Sequence, residues 1–318
     1  MTAYDIIGDI HGYAIKLEEL LKHMGYAQVG RNYRPPTGRK TVFLGDLIDR
    51  GPDQKRVLEI ARSMVDSGDA VCIMGNHEFN AIAYATDDPA NPGERLRPNR
   101  TDNLKSSRNR EQHAEFLAQV REGSTQYREW ITWFRTLPPF IDFGGFRVVH
   151  GCWDNEAVAT LPAGGWGPGK VLTDELLISV CHNGSPMMQA RKLLTCGLEL
   201  QLPEGRFIRD KSGHKHTEIR IANWRDWASQ VHEVALIPTG QEEQLHGMEW
   251  PSDLVISAIK GTPILVGHHW FTGHPVIESP KLACLDWSAA KDGPLVCYRW
   301  DGESELSNER LVWVGKPA

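Results

Sequence analysis

Hydrophobic residues come in short runs along this chain, and several of the runs end in the same way. Tyr4-Asp5-Ile6-Ile7 leads into Gly8-Asp9-Ile10-His11-Gly12, and Thr41-Val42-Phe43-Leu44 into Gly45-Asp46. Ala70-Val71-Cys72-Ile73-Met74 leads into Gly75-Asn76-His77, Arg147-Val148-Val149 into His150-Gly151, and Ile264-Leu265-Val266 into Gly267-His268. Short β-rich runs bounded by Gly predict buried strands. Between them the apolar spacing turns helical. Ile15, Leu17, Leu20, Leu21 and Met24 predict a helix over 13–24 that stops near Gly25. A second helix, capped by Asp53, carries Val57, Leu58, Ile60, Ala61 and Val65 and ends before Gly68.

Strand, polar loop, helix, strand is the pattern of an α/β fold, in which ligands sit beyond the C-terminal ends of the strands. Each Gly-Asp, Gly-Asn-His or His-Gly element falls at such an end. Two stretches break the pattern. Residues 86–112 are rich in Asp, Asn, Pro and Arg and read as a polar insertion; residues 153–255, with Gly/Pro-rich turns at 162–169 and with Trp224 and Trp227, read as a long excursion or cap. The expected organisation is one domain over residues 1–318 that carries both.

Composition narrows the function classes. The 318 residues are 41% hydrophobic and 24% charged, ordinary for a globular protein. A net charge of −6 argues against a dedicated nucleic-acid binder, while leaving room for a phosphate substrate at a metal site. The six cysteines include no C-x-x-C pair, so they read as free thiols. Met1-Thr2-Ala3 opens no signal peptide and no apolar stretch approaches the roughly 18 residues of a membrane span. A cytoplasmic protein without membrane contact is expected.

Singly, the strand-end motifs have bland readings. Asp9 and His11 could be a turn Asp beside an exposed His. Gly45-Asp46-Leu47-Ile48-Asp49-Arg50-Gly51 could be a tight turn with a surface Asp49–Arg50 pair, and Asn76 could be a helix cap. His150 and His268 could each be a satisfied structural histidine. Five strand ends in chain order, each offering carboxylate, imidazole or amide donors suited to divalent transition metals, are not what turn chemistry alone produces.

The series Gly-Asp-x-His-Gly, Gly-Asp-x-x-Asp-Arg-Gly, Gly-Asn-His-Glu, His-Gly and Gly-His resembles the calcineurin-like metallophosphoesterases. Its Asp-Arg-Gly and Asn-His-Glu forms resemble the phosphoprotein phosphatase branch, which includes bacterial Ser/Thr phosphatases and symmetrical diadenosine tetraphosphatases. Leu282-Ala283-Cys284-Leu285-Asp286 is similar to the family's terminal strand. The resemblance implies an α/β sandwich of sheets flanked by helices. It implies two divalent ions, manganese first, with Fe, Zn, Co or Ni as alternatives. Asp9, His11 and a bridging Asp46 would hold one ion, and Asp46, Asn76, His150 and His268 the other. Arg50 and Asn76 would contact the phosphoryl oxygens, with His77 as general acid oriented by Asp49. The implied reaction is attack on phosphorus by a hydroxide held between the metals. A phosphomonoesterase acting on phosphoproteins is the first expectation, and a symmetrical dinucleoside polyphosphate hydrolase the alternative. An inactive phosphate-binding module is the remote third.

Some positions stay open. His269 is a register alternative to His268. A second phosphate-binding arginine is one of Arg191, Arg206, Arg209, Arg220 and Arg225. His113, His182, His232 and His246 read as surface residues, as do His214 and His216, while His23 suits a helix C-terminus. Trp153 and Trp270 adjoin expected ligands and could line a groove. The sequence leaves the oligomeric state open.

Overall fold

The structure, a computed structural model, describes residues 2–316 apart from 210–212, 214, 226–227 and 252–258. His214, Trp227 and the last residues of the 153–255 excursion lie outside the described residues.

The chain opens with β1 (Ala3–Ile7), α1 (Ala14–His23), β2 (Arg39–Phe43), α2 (Gln54–Asp66), β3 (Ala70–Cys72) and α3 (Asn76–Ala85). Three helices follow, α4 (Leu104–Gln112), α5 (Ala114–Gln119) and α6 (Thr125–Phe134), before β4 (Phe140–Asp142) and β5 (Arg147–Val149). The excursion holds α7 (Asn155–Ala163), α8 (Asp174–Cys181) and α9 (Pro186–Cys196), then β6 (Glu199–Gln201), β7 (Glu218–Ile221) and β8 (Ala235–Leu236). The chain returns through β9 (Ile264–Val266), β10 (Leu282–Cys284), β11 (Leu295–Trp300) and β12 (Leu311–Val314).

Two sheets carry the fold. The first has the order β12-β11-β1-β2-β3, with β1, β2 and β3 parallel and β11 antiparallel to β1. The second has the order β10-β9-β5-β4, with β9 parallel to both β10 and β5. Successive strand residues point to opposite faces. Ile6, Val42, Val148, Leu265 and Ala283 therefore meet in one core between the sheets. Their neighbours Ile7, Phe43, Val149, Val266 and Cys284 face outward, into a second core shared with the helices. This is the α/β sandwich that the motif resemblance implied. Both faces of each sheet are covered, which is why these strands read as continuous apolar runs rather than alternating ones.

The local differences have physical reasons. Ile15 lies 67% exposed on α1, and Ala14, Leu17, Leu20 and Leu21 form its buried face. Asp53 occupies the N-cap of α2 but its side chain makes no capping bond. The neighbouring Gln54 takes over: its amide donates to Gly51 O (2.6 Å) and accepts from Asp49 N (2.7 Å). The 86–112 segment is an ordered loop running into α4, with Glu94 accepting from the backbone N–H groups of Arg95, Asn99, Arg100 and Thr101. β10 is followed by two further strands that close the first sheet. The excursion divides between cores: Leu161, Leu177 and Leu194 join the main one, whereas Ile219, Ile221 and Val234 pack a small core of their own. All six cysteines are free thiols. Among the described residues, no helix is long and apolar enough to cross a membrane.

Candidate metal centre

The parallel strands β1, β2 and β3 end at one side of the first sheet, and β5 and β9 end together in the second. The loops that leave them are knitted by backbone hydrogen bonds. His11 N donates to Asp46 O (2.8 Å), Gly12 N to Leu47 O (2.8 Å) and Gly51 N to His11 O (2.8 Å). Glu78, fully buried, ties three more donors: its carboxylate accepts from Asp46 N (2.8 Å), Leu47 N (2.8 Å) and Gly75 N (3.2 Å). Burial, with Asp46 close by, pushes the Glu78 carboxyl up to about 7.

These tight crossings force unusual backbone. His11, Asp46, Asp49, Arg50 and His268 adopt left-handed φ values between 48° and 72°, as does Trp270 at 42°. Such conformations cost about 1–3 kcal/mol each in non-glycine residues and cluster at functional sites. Gly267 is required for a different reason. A Cβ there would lie 2.2 Å from Asp9 Oδ1 and 3.3 Å from His150 Nδ1. Gly267→Ala is expected to displace Asp9 and weaken divalent-metal affinity about 10–100-fold. Calorimetric titration checks this, and unchanged affinity would remove Asp9 from the centre.

Asp46 is the hub. Its Oδ2 lies 3.6 Å from His11 Nε2, 3.3 Å from His150 Nε2 and 3.9 Å from His77 Nε2. Asn76 Oδ1 completes a second cluster, 3.1 Å from His150 Nε2 and 2.8 Å from His268 Nδ1. Ligand atoms of His11, Asp46 and His77 lie within 4.8 Å of one another, and so do those of Asp46, His150 and His268. Asp9 joins through its Oδ2, which accepts from His268 N (3.1 Å). Every metal-ligand candidate named from the sequence is thus drawn to one place. His268, rather than His269, faces Asn76. His269 turns away, with Nε2 3.2 Å from Gly151 O and its ring against Trp224.

The donor chemistry fits divalent ions. His11 Nδ1 is 2.9 Å from Ile48 O and His150 Nδ1 is 2.7 Å from Leu44 O. With those Nδ1–H groups donating to carbonyls, each Nε2 presents a lone pair inward, the tautomer a metal ligand needs. Around His150 Nε2, the Asp46 carboxylate Oδ2 and the Asn76 amide Oδ1 converge, so that a cation at that nitrogen, proton or metal, is what the three groups together select. Such a cluster is stable only around a positive charge. Two further buried polar atoms, Asp9 Oδ1 and His268 Nε2, have no hydrogen-bond partner. The same demand appears in the titration. Burial opposes charging His150, but Asp46 and then Asp9 carry it up to about 10. Burial, with Asp286 beside it, pushes the Asp9 carboxyl well above the usual carboxylate range.

Beside the cluster, His77 Nδ1 lies 2.6 Å from Asp49 Oδ2. Arg50 is exposed on the same loop. Of the five arginines left open, Arg206, Arg209 and Arg225 are spent on distant backbone carbonyls, those of Gln244, Gly213 and Glu233. Arg220 reaches the site, donating to His268 O (2.6 Å) and lying 5.7 Å from the Trp270 ring. Trp153 does not offer an open face: Arg147 covers it at 4.9 Å and Phe140 meets it edge-on.

Two residues escaped the sequence reading. Glu78 was visible only as the tail of a motif, and Asp286 only as part of a strand. Asp286 accepts from Trp270 N (2.7 Å) and Ser288 N (3.0 Å), fixing the loop after His268. One residue was misread. His113, expected at the surface, is 4% exposed and bonded to Asp49.

Fold and site together define a sandwich whose strand ends gather side chains able to hold divalent cations. The chain belongs to the calcineurin-like phosphoesterases, whose family model matches residues 4–295. It is 44% identical over 73 residues to an asymmetrical bis(5'-nucleosyl)-tetraphosphatase of Oceanobacillus iheyensis, covering 23% of this chain and 29% of that protein. It is 31% identical over 146 residues to a symmetrical bis(5'-nucleosyl)-tetraphosphatase of Aromatoleum aromaticum, covering 45% and 42%. The chain therefore spans less than half the length of these curated relatives. Among solved structures it is similar to a protein serine/threonine phosphatase from Saccharomyces cerevisiae, with 13% identity, a TM-score of 0.45, and 100% and 80% of the two chains covered.

Proposed function

We propose that this chain is a dinuclear metal-dependent phosphoesterase that hydrolyses phosphomonoesters, phosphoserine and phosphothreonine in proteins among them. The observation that carries the reading is the buried His77–Asp49 pair, at 2.6 Å, set against the Asp46 hub. A proton donor held this firmly matters most when the departing oxygen is an alkoxide, which cannot leave unprotonated.

Asp9, His11, Asp46, Asn76, His150 and His268 would hold two divalent ions, manganese by first choice. When bound, such ions supply Lewis acidity toward phosphoryl oxygens and lower the pKa of water. The chain's own residues do the rest. Arg50, on the loop after β2, and Arg220, on β7, would grip phosphoryl oxygens, Arg220 already anchored on His268 O. Asn76 orients the same group through its amide. Asp49 accepts from His77 Nδ1–H, so that Nε2 carries its proton toward the leaving oxygen.

A second reading, hydrolysis of a dinucleoside polyphosphate, is favoured by surplus positive charge near the pair. Arg97 feels both Asp49 and Arg191, and Arg191 stacks on Phe79 at 4.5 Å with its Nε unpartnered. One phosphate does not need these further guanidiniums, whereas a polyphosphate chain does. The names of both relatives point the same way.

Product analysis separates the readings. Manganese-loaded protein is given a phosphopeptide pool and diadenosine tetraphosphate together. Free phosphate with intact nucleotide supports the phosphomonoesterase. ADP alone, or ATP with AMP, supports the polyphosphate hydrolase of symmetrical or asymmetrical type. No product from either substrate, or from small phosphomonoesters, at full metal occupancy would overturn the catalytic reading.

A further inference from the structure

The Asp49 carboxylate is shared. Its Oδ2 faces His77 Nδ1, and its Oδ1 lies 2.8 Å from His113 Nδ1. Both histidines and the aspartate are buried, each 5% exposed or less. His113 comes from neither a strand end nor a recognised motif. It sits at the junction of α4 and α5, where the 86–112 segment returns to the body of the protein. Its ring is held between Tyr84, 5.0 Å away, and Phe116, 4.9 Å away. Its Nε2 is buried without a partner. Among the described residues, the bond to Asp49 is therefore the one polar contact that sets the ring's orientation.

An aspartate carboxylate, free to turn about Cα–Cβ and Cβ–Cγ, holds an imidazole in a single orientation only if its other oxygen is fixed as well. Gln54 fixes the Asp49 backbone but not its carboxylate. We propose that His113 is a positioning residue for phosphoryl transfer: its Nδ1–H pins Asp49 Oδ1, and so aims the His77 proton at the leaving oxygen. The polar insertion thereby completes the acid, and its folding is coupled to the step that needs a proton. Charge points the same way. Burial alone would lift the Asp49 carboxyl, yet His113 and then His77 hold it well below the usual carboxylate range. The proposal rests on His77 acting as general acid, and its test must be able to fail separately.

The test varies the leaving group. Departure of p-nitrophenolate needs little protonation and departure of an alkoxide needs much, so loss of an aligned acid shows as a selective defect. His113→Phe keeps the ring between Tyr84 and Phe116 and removes the donor. His113→Asn places an N–H near the former Nδ1, and His113→Gln places one near Nε2. The manganese-loaded His113→Phe enzyme is expected to lose about 10–100-fold in kcat on an alkyl phosphate and less than about 3-fold on p-nitrophenyl phosphate, with KM little changed. His113→Asn should recover most of the alkyl rate, and His113→Gln should not. Should His113→Phe fail to fold, the Asn and Gln pair carries the same comparison. Equal losses on both substrates, or no difference between Asn and Gln, would overturn the role of His113. His77→Asn is the control for the underlying reading. If it too shows no leaving-group dependence, the general-acid reading falls; if it alone shows it, only the His113 proposal falls.

Discussion

Asp46→Asn is expected to yield a folded protein that binds divalent metal weakly at both positions and turns over on the order of 10³-fold more slowly. The size of the effect follows from where the charge sits. Asp46 Oδ2 is within 3.3–3.9 Å of three imidazoles from three different loops, so one carboxylate serves two clusters. Asparagine keeps the acceptor that Asp46 Oδ1 offers to His77 N at 2.9 Å, which spares the start of α3. In place of Oδ2 it can turn an N–H₂ toward the His11 and His150 lone pairs, satisfying them with hydrogen bonds instead of a cation. In chelator at neutral pH the variant should nonetheless melt earlier than the wild type, because the Asp46–His150 charge pair is gone, and it should also lose the stabilisation that manganese gives. Metal content by elemental analysis, kcat/KM and melting with and without manganese together check the argument. Full metal content with activity within tenfold of wild type would mean that Asp46 does not bridge.

How much of this was legible in the sequence depends on the range of the interaction. The clustering of the strand-end ligand candidates was legible because each motif is local. A short apolar run, a glycine and a polar donor are adjacent in the chain, and parallel sheets send such ends to one side. The face of α1 was legible except at Ile15, which apolar spacing alone cannot assign to inside or outside. Glu78, Asp286 and His113 were not legible, because what each does lies elsewhere in the chain. Glu78 bonds backbone at Asp46 and Leu47, and His113 reaches Asp49 across 64 positions. Around His113 the residues are polar, and only Phe116 and Leu117 hint that α5 has an inner face. Arg220 was a bare candidate until the fold brought it to His268 O. The left-handed backbone at His11, Asp46 and Asp49 was equally silent, since nothing in those residue types demands it.

Asp9 is where the cost of that strain and that buried charge can be measured. Without metal, the Asp9 carboxylate is 2% exposed beside Asp46 and Asp286, with one oxygen unpartnered. Asp9→Asn keeps an acceptor for His268 N and removes the charge. At neutral pH the chelated variant is expected to be more stable than the chelated wild type by roughly 1–3 kcal/mol, the range for relieving an unsatisfied buried polar group. The sign with pH follows from the raised Asp9 pKa. A group whose pKa is higher folded than unfolded costs nothing below its unfolded value, about 3.9 for Asp, and destabilises progressively as pH rises from there. The advantage of asparagine in chelator should thus vanish in acid and grow toward neutral pH. Saturating manganese should reverse the order, because only the wild type offers the carboxylate that the ion selects. Melting of both proteins at acid and neutral pH, with chelator and with manganese, gives the full comparison. An asparagine variant less stable than wild type in chelator at neutral pH would show that Asp9 is satisfied without a cation, and the case for a metal held by Asp9 and Asp46 would fail with it.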